Sequence, residues 1–68
     1  MGTLKELIGY IESKSGVQQI LVSYNNELVF EGLTNEATLK AFYNKRVTKF
    51  NWVFKASKIL CVIADELP

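Results

Sequence analysis

Apolar and polar residues recur along this chain with two different periods, and the places where the period changes mark its elements. Leu4, Leu7, Ile8 and Ile11 repeat at i, i+3, i+4 and i+7, with Lys5, Glu6, Glu12 and Ser13 on the opposite side. That spacing predicts an amphipathic helix over residues 4 to 14. Thr3 and Glu6 mark its start with the spacing of a capping box, in which a hydroxyl and a carboxylate each satisfy an orphan backbone amide. Gly16 supplies a left-handed stop. Residues 17 to 24 are rich in β-branched and aliphatic side chains, and Leu28 to Phe30 resume the pattern after Asn25-Asn26. Asparagine tolerates the positive φ of a tight turn, so the two runs predict a hairpin.

The hairpin has two candidate registers. A two-residue loop pairs Tyr24 with Glu27, which puts Ile20, Val22 and Val29 on one face but Leu21, Leu28 and Phe30 on the other. One further loop residue gathers Ile20, Val22, Tyr24, Leu28 and Phe30 on a single face, and this better-buried surface makes the longer loop the expected one. Beyond Gly32, Thr34 is the expected N-cap of a second helix over residues 35 to 44, with Glu36 in its first turn and a stripe of Leu39, Phe42 and Tyr43. From Val47 the period shortens to two. Thr48, Phe50, Trp52 and Phe54 alternate with Val47, Lys49, Asn51 and Val53, the pattern of a strand. Lys55-Ala56-Ser57-Lys58 reads as a connection, and Ile59 to Ala64 is an unbroken apolar run of strand length. Such a run predicts a strand covered on both faces, or one whose second face packs on another molecule. Asp65 to Pro68 reads as a frayed end. The expected fold is α+β in the order α-β-β-α-β-β: one two-layer domain over residues 1 to 68, its four-stranded, mainly antiparallel sheet carrying two helices.

Size sharpens the picture. A 68-residue domain buries only about 60% of the surface its unfolded chain exposes, so most of its large apolar side chains are needed for the core. The net charge of +1 excludes a strong polyanion-binding field from the whole molecule. The distribution is uneven, however. Lys40, Lys45, Arg46, Lys49, Lys55 and Lys58 are six of the eight cations, and no carboxylate lies between Glu36 and Asp65, so residues 40 to 58 carry +6. Cys61 is alone, which excludes an internal disulfide framework and reads as cytosolic. The longest apolar run, Ile59 to Ala64, is too short for a membrane span, and the residues after Met1 lack the pattern of a signal peptide or a myristoylation site.

Catalytic chemistry has little to work with. The chain contains no His, the commonest acid or base near neutral pH and the commonest zinc ligand. Cys61 lies in an apolar run, where a buried thiol is expected, and the four glycines are isolated, so no phosphate-cradling loop can be drawn. Glu27 and Glu31 read as charges that keep a hairpin edge soluble. The expectation is a non-enzymatic chain with no catalytic residue, metal or small-molecule cofactor, and no membrane partner.

Two binding surfaces compete. The first follows from an apolar surplus: Leu21, Val29, Val47, Val53 and one face of Ile59 to Ala64 cannot all lie between one sheet face and two short helices. Val47, Val53, Leu60 and Val62 are accordingly the candidate interface for a protein partner or a second copy in a homodimer. The alternative is nucleic-acid binding through segment 45 to 58, with Lys45, Arg46, Lys49, Lys55 and Lys58 on phosphates and Trp52 stacking on a base.

The stretch from Ile20 through Tyr24-Asn25-Asn26 to Phe30-Glu31-Gly32, a short helix, Arg46-Val47 and the closing Ile59-Leu60-Cys61-Val62-Ile63 together resemble small proteins encoded by phages, prophages and mobile elements of Gram-positive bacteria. In those proteins a Tyr-Asn turn leads to an aromatic residue, an acid or base and Gly, and the chain ends in an aliphatic strand. The likeness spans about 45 residues made up of turn and core positions. It implies a prophage-borne accessory protein, a class that includes inhibitors of host nucleases and defence systems, and it carries over no functional residue.

Overall fold

In the computed structural model, which describes residues 2–53 and 57–65, the first element is α1 (Leu4–Ser15). Both halves of the capping box are present: the Thr3 amide donates to Glu6 Oε1 at 3.0 Å and the Glu6 amide donates to Thr3 Oγ1 at 3.4 Å. The buried residues of α1 are Leu4, Leu7, Ile8 and Ile11, the predicted stripe. Gly16 ends it at φ 75°, its amide bonded to the Glu12 carbonyl. The first amides of a helix have no partner within it. Here Leu4 and Lys5 donate to the carbonyls of Lys45 and Tyr43, at 2.9 and 3.1 Å, which ties the start of α1 to the chain entering the third strand.

The strands are β1 (Gln19–Tyr24), β2 (Glu27–Leu33), β3 (Arg46–Val53) and β4 (Lys58–Ala64), in the spatial order β2-β1-β4-β3. β1 with β2 and β3 with β4 are antiparallel pairs, and the central pair β1 with β4 is parallel. The protein is thus an α+β fold with a mixed, mostly antiparallel sheet. Ile20 and Val22 of β1 and Ile59, Cys61 and Ile63 of β4 pack into one core cluster with the apolar stripe of α1 and with Leu39.

Both hairpin ladders contain a β-bulge, and each overturns an expectation drawn from strict alternation. The β1–β2 loop is the two-residue Asn25-Asn26 turn with φ 52° and 64°, not the longer loop. The extra residue sits inside β2 instead: Ser23 is opposite Leu28, but Val22 is opposite Phe30. Positive φ at both turn positions matches the twist of the strands, and the bulge then restores Phe30 to the core face at the cost of one unpaired residue, Val29. Leu28, expected among the core residues, is left on the other side with 54% exposure. In β3 the register shifts between Val47, opposite Ile63, and Lys49, opposite Val62. Thr48 is the extra residue, its hydroxyl donating to the Val62 carbonyl at 3.2 Å. The shift turns Val47 onto the same face as Phe50 and Trp52, into the core at 3% exposure, so Val47 is not part of an exposed interface.

The second helical segment is a six-residue 3₁₀ helix, Ala37–Phe42, rather than an α-helix over residues 35 to 44. Its inward residues Leu39 and Phe42 are three apart, which matches the three residues per turn of that geometry. Thr34 is not its cap. The Thr34 side chain is fully buried, where Oγ1 accepts from the Gln18 amide at 3.1 Å and donates to Glu12 at 3.0 Å, joining α1, the approach to β1 and the exit from β2. Asp65 is not frayed: its carboxylate accepts from the Tyr24 hydroxyl and pairs with Lys45 at 2.9 Å. Phe54, Lys55, Ala56 and the terminal Glu66, Leu67 and Pro68 lie outside the described residues.

Candidate interaction face

α1 and the 3₁₀ helix contribute to a single core cluster, so they cover one face of the sheet. The strand registers define the residues of the other. Three rungs cross it from β2 to β3: Leu33–Gln19–Lys58–Val53, then Glu31–Leu21–Leu60–Asn51, then Leu28–Ser23–Val62–Lys49. Six large apolar residues are exposed among those described, and four of them, Leu28, Leu33, Leu60 and Val62, are on these rungs. Exposure of apolar surface is therefore concentrated on one side rather than scattered. Lys49, Phe50, Asn51, Leu60 and Val62 also line a depression beside it.

Charge is divided across this face. Glu31 stands on the β2 side, while Lys58 and Lys49 stand on the β4 and β3 side, and Leu21, Leu60 and Val62 lie between them. The pattern has chemical consequences. A partner seated here must offer apolar surface to Leu21, Leu60 and Val62, a base opposite Glu31 and an acid or amide opposite the lysines.

Of the residues singled out from the sequence, Val53, Leu60 and Val62 come together on this face and Val47 does not. Leu28 and Leu33 join them unannounced. Leu28 takes this face because the two-residue turn pairs it with Ser23, the register that strict alternation made the less favoured one. Leu33 follows from the register that pairs it with Gln19.

The basic segment is dispersed. Lys49, Lys58 and, opposite Ala64, Arg46 hold bare-face register positions, but Trp52 is opposite Ile59 on the covered side and packs against the core. Arg46, opposite Ala64, and Lys58, opposite Val53, stand at the two ends of the β3–β4 ladder. Lys45 is bound to Asp65 and lies 5.3 Å from the centroid of the Tyr24 ring. Lys55 is outside the described residues.

Two other features carry titratable groups. At the sheet end formed by β1 and β4, the Tyr24 hydroxyl and then Lys45 hold the Asp65 carboxyl below its ordinary range, while the bond to Asp65 raises the Tyr24 hydroxyl above its own. This cluster anchors the chain beyond β4. Cys61 is buried in the core, and burial pushes its thiol up to about 11, far from a nucleophilic thiolate. A notch between α1 and β3, lined by Gly2, Glu6, Leu7, Tyr10 and Phe50, is mostly apolar, and its carboxylate Glu6 is engaged in the capping box. No group of three or more His, Cys, Asp or Glu that could hold a metal gathers among the described residues. No helix among them is long and apolar enough to cross a membrane.

Comparison of the chain with protein-family models, with curated proteins and with solved structures finds no match to any of them.

Proposed function

We propose that this chain is a non-enzymatic protein-interaction module that docks through its bare sheet face, in keeping with the accessory role that its resemblance to phage and mobile-element proteins implies. One observation carries the reading. β4 is a central strand with apolar side chains pointing both ways, yet only Ile59, Cys61 and Ile63 are covered, while Leu60 and Val62 are 43% and 38% exposed between paired neighbours. A small domain short of core residues loses by leaving leucines in water, so a surface of this kind is best explained by something that covers it. The lone thiol of Cys61, buried and protonated, suits a reducing compartment such as the cytoplasm. Nucleic-acid binding has weaker support, because the expected stacking residue Trp52 is turned to the covered side, away from the bare-face register positions of Arg46, Lys49 and Lys58.

The reading is tested by placing a photo-crosslinking residue at position 60, 28, 10 or 40 and irradiating cells that express the chain. Adducts at positions 60 and 28, absent at the exposed control positions 10 and 40, support docking through the bare face. Equal labelling at all four, or none at position 60, overturns it.

A further inference from the structure

We infer that the occupant of the bare face is a second copy of this chain, turned about a two-fold axis parallel to the strands; this rests on the interaction reading above and names its partner. Aligned sheets pack about 10 Å apart with strand directions within about 30° of each other. An axis along the strands, lying midway between two such sheets, sets β2 over β3 of the second copy and β1 over its β4. Leu21 then meets Leu60 of the second copy and Leu33 meets its Val53, each contact occurring twice by symmetry. Glu31 lies over Asn51 of the second copy and Leu28 over its Lys49, whose long side chain reaches Glu31 one rung along, so the only carboxylate on the three rungs comes to the basic side. The other in-plane two-fold, across the strands, sets Glu31 directly over its own copy, and stacking like charges in a desolvated patch rejects it.

Size agrees with this occupant. Four strands about 4.8 Å apart and three rungs about 7 Å apart cover a patch roughly 20 Å on a side. Closing two such patches removes on the order of 1,000 Å² from water, the lower end for a specific interface, so the dimer should dissociate on dilution. Edge-to-edge pairing is a poorer route. The start of β3 is occupied by Gly2 and Thr3, and the edge strand β2 carries Glu27, Glu31 and a bulge, which discourage strand addition.

The test is sedimentation of the full chain from micromolar to millimolar concentration, with far-ultraviolet circular dichroism of every variant to confirm folding. Leu60→Lys should abolish the dimer. Glu31→Lys and Lys49→Glu should each weaken it by about tenfold, and the double variant should recover to within about threefold of the parent, because the swapped charges meet again across the axis. A monomer at millimolar concentration overturns the inference, as does a dimer indifferent to Leu60→Lys or one the double variant fails to rescue. A monomer that still gives adducts with another protein at position 60 sinks self-pairing alone, whereas a monomer that gives no adduct there sinks the interaction reading as well.

Discussion

Ile59 and Leu60 are adjacent in the chain and adjacent in β4, and they have the same composition, but the first is fully buried and the second is 43% exposed. The same division runs across the sheet. On the covered side Ile20, Val22, Ile59, Cys61 and Ile63 meet the stripe of α1 and Leu39, while on the bare side Leu21, Leu60 and Val62 meet no second layer among the described residues. The pair teaches that hydrophobicity is not what distinguishes the two sides: the location of α1 is. A helix that brings Leu4, Leu7, Ile8 and Ile11 to one face buries that face and leaves the other to whatever the chain meets outside itself.

The largest expected effect breaks the comparison at its strongest point. Ile59→Ala should cost about 2–5 kcal/mol of unfolding free energy by urea denaturation at low micromolar concentration, through lost transfer energy plus the cavity left behind. Leu60→Ala under the same conditions should cost less than about 1 kcal/mol. Equal costs would mean that the two sides do not differ as described. Thr34→Ala comes next, at about 1–3 kcal/mol, because it strips a partner from the Gln18 amide in a buried position, and Thr34→Ser should retain most of the stability. A double change on the bare side, Leu60→Gln with Val62→Thr, should leave monomer stability within about 0.5 kcal/mol of the parent while reducing the fluorescence of an apolar dye. Dye binding unchanged by the pair would show that the exposed surface lies elsewhere.

The smallest effect concerns pH. Asp65 has its pKa depressed by the Tyr24 hydroxyl and then by Lys45, so its contribution to stability is full above the ordinary aspartate value and is lost as pH falls through the depressed one. Tyr24 has its pKa raised by the same bond, so its contribution is full below the ordinary tyrosine value and is lost as pH rises through the raised one. Tyr24→Phe should therefore shift the Asp65 titration, followed by carboxyl chemical shift, upward toward the ordinary range. An unmoved titration would show that the bond does not persist in solution.

Much of the covered side was legible before any coordinates. The spacing of Leu4, Leu7, Ile8 and Ile11 names the buried face of α1, because a helix has one period and Thr3 with Glu6 states where it begins. The unbroken run at Ile59 to Ala64 was legible as a strand with two apolar sides. Errors gathered at Val47, Leu28 and the hairpin loop, and they share a cause. Each lies at or beside a bulge, where one extra residue reverses the facing of everything on its near side, and neither Val29 nor Thr48 has a side chain that declares it unpaired. The dispersal of the basic segment was hidden for a different reason, since Trp52 alternates with its lysine neighbours equally well whichever face is covered.

By itself, then, the sequence determined the elements whose causes are local: the capped helix, the Asn25-Asn26 turn, the strands, and the absence of histidine chemistry. Which side of the sheet would be covered, where the extra residue of each ladder would fall, and that Thr34 would join three segments in place of capping a helix were decided only by tertiary structure. Those outcomes depend on contacts between residues far apart in the chain, and an alternating pattern of apolar side chains fits either face until something packs against one of them.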